Sequence, residues 1–161
     1  MKLVIVLVIA IAVALLVVLA VGFATPKNHE ASASKTYRLP PNELFAIVTD
    51  FKGYEGWRTG LKSIDVSDDK KRVVETGGYG VIPYVIRESV PGQRLVTEID
   101  DSDLQFGGTW TFEFTAEGSG TRLTVTERGF VKNVVFRFVS RFMAQDATIK
   151  QFLADLAKRA G

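Results

Sequence analysis

The sequence predicts an α+β fold, an antiparallel sheet of about six to seven strands covered on one side by helices. Three observations predict it. First, Trp110, Phe112 and Phe114 alternate with Thr109, Thr111 and Glu113, and Leu123 and Val125 alternate with Arg122, Thr124 and Thr126. Period-two alternation puts each set on one face of a sheet, so Phe106–Gly129 reads as two half-buried strands. Ala116–Gly120, with two glycines, joins them as a hairpin. Second, Val135, Phe138, Phe142, Ile149, Phe152, Leu153 and Leu156 recur at steps of three and four, the stripe of one long helix over Asn133–Arg159. Third, the first strand and helix precede a run of short strand-like segments separated by turn residues, the order of a sheet with helices on one side. The aromatic face of the hairpin and the apolar stripe of the last helix are expected to form one interior.

Taken in order, the chain begins with Leu3–Ala24, which carries no charged or strongly polar side chain. As a helix it rises about 33 Å, matching a hydrocarbon core of roughly 30 Å. Residues 1–24 therefore read as a single-pass anchor in the cell membrane, with the side of the folded domain left open. The competing reading is a cleaved signal peptide, with Lys2 as a minimal basic start and Gly22-Phe23-Ala24 as the cleavage site. The apolar run exceeds the ~7–15 residues usual for such a signal, and this favours the retained span. Residues 25–33 are small and polar and read as a linker, with His29 as a solvated residue in it; residues 34–161 form the folded domain.

Ser34–Leu39 is the first expected strand, ended by Pro40-Pro41. Leu44, Phe45, Ile47, Val48 and Phe51 then give a helical stripe behind a proline in the first turn. Phe51–Trp57 is a glycine-containing aromatic turn. Leu61–Val66 and Arg72–Thr76 are two strands joined by a charged turn. Tyr79–Val90 is a longer strand in which Pro83 calls for an edge position or a bulge, and Arg94–Ile99 follows after Pro91-Gly92.

Composition excludes several chemistries. The 161 residues carry a net charge of +2 and no cysteine. There is no basic run for nucleic acid, no thiolate and no disulfide. No phosphate-binding loop or dinucleotide fingerprint is present. Asp100–Asp103 lacks the spacing of a calcium loop, and zinc ligands are missing, so no metal or other cofactor is expected. With His29 in the linker, the folded part has no histidine, so a histidine-dependent triad is excluded there. Carboxylates remain: by alternation Glu127 follows Leu123 and Val125, and Glu88 follows Ile82, Tyr84 and Ile86. Each is a candidate cavity carboxylate, with a strand-end or arginine-paired role as the plainer alternative.

The stretches LPPNELFAIVTDFKGYEGW, VIRESVPGQRL, FGGTWTFEF and GSGTRLTVTERGFV, followed by a helix ending IKQFLADLA, occur in an order and spacing that resembles the START-like (SRPBCC) superfamily. The resemblance is to its polyketide cyclase/dehydrase and lipid-transport branch, and it covers about Ser34 to Lys158. It implies a helix-grip fold, a curved antiparallel sheet around the C-terminal helix, often with an apolar cavity between them. It also implies a hydrophobic ligand: a lipid, an isoprenoid or quinone, or a polyketide-like molecule. No catalytic residue carries over. On this reading Trp57, Tyr84, Ile86, Trp110, Phe112, Phe138 and Phe142 line the cavity, and the partners are that ligand and the bilayer around residues 3–24. The alternatives are an interaction module with a filled core, whose basic helix face contacts headgroups or a protein, and a cyclase or dehydratase using Glu88 or Glu127. Nothing in the sequence speaks to oligomeric state.

Overall fold

The computed structural model describes residues 1–142 and 144–161. Helix α1 spans Lys2–Ala24 and strand β1 spans Asn28–Tyr37. Helix α2 (Pro41–Thr49) and a 3-10 turn (Phe51–Gly56) lead into β2 (Leu61–Val66), β3 (Arg72–Gly77), β4 (Gly80–Val90), β5 (Arg94–Ile99), β6 (Phe106–Glu117) and β7 (Gly120–Val131). Helices α3 (Val134–Ser140) and α4 (Ala147–Ala160) complete the chain. The seven strands form one antiparallel sheet in the order β1-β7-β6-β5-β4-β3-β2. Strands β2 to β7 meander, and β1 returns to the free edge of β7. The sheet curves around α2 and α4, the helix-grip arrangement.

The hairpin that anchors the prediction is β6–β7, with Phe112 opposite Val125 and Phe114 opposite Leu123. Gly118, at φ +60, supplies the left-handed position of its tight turn. Phe112, Phe114, Leu123 and Val125 are buried against Ile149, Phe152, Leu153 and Leu156 of α4 and Leu44, Phe45 and Val48 of α2. Each such side chain removed from water contributes about 1.5–3 kcal/mol before the ordering cost is subtracted. Tyr37 ties the edge strand to α4 by donating its buried hydroxyl to the Leu153 carbonyl at 2.8 Å.

Three expectations are corrected. The first strand begins at Asn28, six residues before Ser34, so most of the expected linker belongs to the sheet. Its inward residues include Ala31 and Ala33, which pack against the core; their small size made the strand read as a linker. The long terminal helix is two helices. Residues 141, 142 and 144–146 lie between them, and the expected helical position at Met143 lies outside the described residues. Asp146 stands at the N-cap of α4 and pairs with Lys150 at 2.7 Å. The stripe keeps its phase across the interruption, so periodicity alone does not show it. Strand β4 is interior, which overturns the edge alternative for Pro83, while the bulge in this strand falls further along, between Ile86 and Glu88. Pro83 is tolerated because β5 pairs with β4 only as far as Tyr84–Ile99, so the ladder has ended where Pro83 lacks its N–H.

Candidate functional site

Register decides which side chains share the concave face. Trp110 lies opposite Thr97 and Glu127, Phe112 opposite Leu95 and Val125, Ile86 opposite Thr97, and Val73 opposite Tyr84. These residues form one inward surface with two halves. Leu95, Phe112, Phe114, Leu123 and Val125 are fully covered by α2 and α4. Trp110, Thr97, Ile86, Tyr84, Glu75 and Glu127 are only half-buried. The open half lies toward the sheet end where β1 begins and β7 finishes.

Phe152 of α4 marks the boundary. Its ring centroid stands 5.7 Å from Trp57, 6.1 Å from Trp110, 5.5 Å from Phe112 and 6.1 Å from Tyr54. Edge-on aromatic contacts of this kind each add about 0.5–1.5 kcal/mol beyond burial. Behind this boundary the space between sheet and helix is filled with rings, and beyond it the inner face is a half-exposed wall. Two concavities open on the surface away from this wall, one between Tyr37 and the end of α4, the other beside His29 and Gly129.

A polar network is set into the apolar wall. Arg58 pairs with Glu75 at 2.5 Å, and the Tyr84 hydroxyl donates to the same carboxylate oxygen at 2.9 Å. The Arg58 guanidinium also lies over the Tyr54 and Phe152 rings, 5.3 and 5.5 Å from their centroids. Burial, reinforced by the negative charge of Glu75, raises the Tyr84 phenol well above its ordinary range, so it stays a neutral donor. The segment carrying Trp57 and Arg58 is fastened from α4. Asp155, 2% exposed, accepts from the Thr59 N–H at 2.9 Å and from the Thr59 hydroxyl at 3.1 Å. Gln151 adds a third bond at 3.0 Å. Burial pushes this carboxyl up, but the hydrogen bonds outweigh it and the net shift is downward.

At the opposite rim, Glu127 lies 3.3 Å from His29 Nε2, and Thr148 in the first turn of α4 approaches its other oxygen at 3.5 Å. Gly129 is what admits the imidazole, since a Cβ there would stand 2.6 Å from the ring. The expectation of a solvated His29 with no partner is corrected: it sits on β1, half-buried, beside the Glu127 carboxylate. The exclusion of histidine from the folded part falls with it.

Of the residues chosen from sequence, Trp57, Tyr84, Ile86 and Trp110 meet on the open wall, and Phe112 lies beneath it in the core. Phe138 and Phe142 do not join them. They pack on each other at 5.3 Å, Phe138 on α3 and Phe142 just past its end, and Phe142 is 74% exposed, because α3 ends at Ser140 and α4 starts only at Ala147. Glu88 is on the outer face, bonded to Arg94 at 3.1 Å. A register shift between Ile86 and Glu88 reverses the alternation that pointed it inward. Sequence reasoning missed Arg58, Glu75 and Asp155. Glu75 carried a signal, standing two residues after the apolar Val73 on one strand.

Comparison with known proteins agrees with this architecture. The sequence pattern of the family described as polyketide cyclase / dehydrase and lipid transport matches residues 28–161. A solved START superfamily protein from Mycobacterium smegmatis superposes with TM-score 0.65 at 18% identity, over 82% of this chain and 97% of that one. The di-domain ARO/CYC StfQ from the steffimycin biosynthetic pathway superposes with TM-score 0.66 at 13% identity, over 83% of this chain and 51% of that one. At these identities the likeness shows the fold alone. Trafficking protein particle complex subunit 11 from Bos taurus is 39% identical over 80 residues, 49% of this chain and only 7% of that protein's length.

Proposed function

The chain belongs to the polyketide cyclase/dehydrase and lipid transport family, and from that membership we propose that it is a membrane-tethered binder or carrier of an apolar small molecule. The ligand, a lipid, an isoprenoid or quinone, or a polyketide-like compound, lies on the open half of the concave face. One observation carries this reading: the wall of Trp57, Tyr84, Ile86 and Trp110 stays half-buried and has the polar network Arg58–Glu75–Tyr84 set into it. An apolar surface with a few convergent polar groups suits an amphiphile with a long greasy body. Helix α1 supports the tether: it is long and apolar enough to cross a bilayer, and apart from the contact of its last turns with α3 its apolar surface has no protein partner among the described residues. A bilayer-bound site samples a high local concentration of such ligands, which favours exchange by a weak binder.

The test uses the two tryptophans, Trp57 and Trp110, which are the only ones in the chain and both on this wall. Full-length protein in nanodiscs is titrated with cis-parinaric acid and, separately, with a short-chain ubiquinone. Saturable quenching of tryptophan emission is expected, with W57F and W110F each removing part of the signal. Emission that falls only linearly, as empty nanodiscs with free tryptophan would give, overturns the reading.

A second reading, an acid–base enzyme of the cyclase type, is favoured by the Glu127–His29 pair on the inner rim. The StfQ neighbour carries ARO/CYC in its name, and that supports the class without supplying a residue. If a linear poly-β-keto thioester analogue is consumed by the protein and E127Q abolishes consumption, this reading replaces the carrier.

A further inference from the structure

Every large apolar side chain that is exposed beyond residue 24, among the described residues, lies at one end of the sheet. These are Tyr79 and Val81 at the β3–β4 turn, and Val135, Phe136, Val139 and Phe142 on α3 and the turn after it. That end is where β1 begins, β7 finishes, and the inner face opens. The four α3-side residues are 46–74% exposed. Their spacing of one, three and three residues keeps them on a single side of the helix. Soluble surfaces scatter such residues singly, and a contiguous set marks a contact face.

The opposite side of α3 is already occupied. Gly22 of α1 is buried against Val134, where a side chain on the glycine would collide with the Val134 carbonyl. Val18, Val21 and Gly22 are the α1 residues that lose exposure through the contact, one helical face at steps of three and one. Arg137 reaches back over Phe23 and donates to the Thr25 carbonyl at 3.4 Å. From Val18 to Ala24 the helix rises about 9 Å. Helix α3 is thereby pinned to the last ~9 Å of the spanning segment, which is the depth at which amphipathic helices lie in a membrane interface.

Charge agrees with this placement. Lys27, Lys132, Arg137 and Arg141 flank α3, and none forms an ion pair with a carboxylate among the described residues. The acidic turn Asp100–Asp103 joins β5 to β6 at this same end of the sheet, and Lys132 beside α3 donates its ammonium to the Ser102 carbonyl. Unpaired cations beside an interfacial helix are the pattern that anionic headgroups attract.

We propose that α3 is an interfacial membrane element, seated in the same leaflet as the end of α1 with Val135, Phe136, Val139 and Phe142 among the lipids, and that Tyr79 and Val81 touch that leaflet from the other side of the opening. The open half of the ligand face then meets the bilayer directly, so a lipid-like molecule enters without crossing water. This rests on α1 being embedded, and the experiment separates the two claims.

Because the chain has no cysteine, a single introduced one carries a unique label. F142C, Y79C, L16C and D68C are labelled with NBD in the full chain and reconstituted into phosphatidylcholine–phosphatidylserine vesicles containing brominated lipids. Asp68 is on the β2–β3 turn at the far end of the sheet. Expected is strong quenching at 16, several-fold quenching at 142, weaker quenching at 79 and none at 68. Quenching at 16 without quenching at 142 overturns the placement of α3 while the anchor stands. Absence of quenching at both overturns the anchor and this inference together.

Discussion

Asp155 shows what one buried side chain does here. It is a carboxylate inside a helix that packs on the core, and its bonds to Thr59 hold the Trp57–Arg58 segment against α4. In D155A the Thr59 N–H loses its acceptor, and a loss of about 1–3 kcal/mol is expected in urea unfolding of the full chain in detergent. The sign with pH follows from the lowered carboxyl. The unfolded chain takes up the proton first as pH falls, so the stabilisation is complete above about pH 4 and disappears as pH drops through the folded value. The stability gap between wild type and D155N should close over that interval, and a gap that is flat with pH contradicts the assignment. None of this was legible in the sequence, where Asp155 sits in an ordinary amphipathic pattern; its partner is 96 residues away. Arg58–Glu75 was hidden for the same reason, since only the fold brings the turn after α2 to β3.

At the scale of elements, alternation and helical period were enough for β6, β7, α2 and the packing of α4. They failed where an element carries small residues, as in β1, or where one residue shifts the phase, as in the bulge that turns Glu88 outward. The site inherits both failures: His29 was lost with the start of β1, and Glu88 was gained by ignoring the bulge. Phe138 and Phe142 were misplaced because a stripe that stays in phase does not report the end of one helix and the start of the next. Helix α4 depends most on Phe152, which touches four rings at once. F152A should cost about 3–5 kcal/mol. It also removes the ring that closes the filled half of the inner face, so in the tryptophan titration it should bind cis-parinaric acid more tightly relative to its stability. A variant of unchanged stability means α4 is held by other contacts.

The whole molecule is a curved sheet whose open end, apolar rim and single long exposed helix coincide. Glycine at position 22 is the joint that lets α1 and α3 approach. G22L should push the two helices apart while leaving the sheet intact. Spin labels at Leu16 and Ser140 are expected to show a longer and broader distance distribution in nanodiscs than in the parent chain, with unfolding of the sheet unchanged. Between α1 and β1 only Thr25, Pro26 and Lys27 intervene, and three extended residues span roughly 10 Å. With its helix in a bilayer, such a protein has almost no radius of action. So tethered, it would be unable to commute between two membranes or hunt for cargo in solution, and whatever it handled would be delivered to, and collected from, the patch of lipid on which it stood.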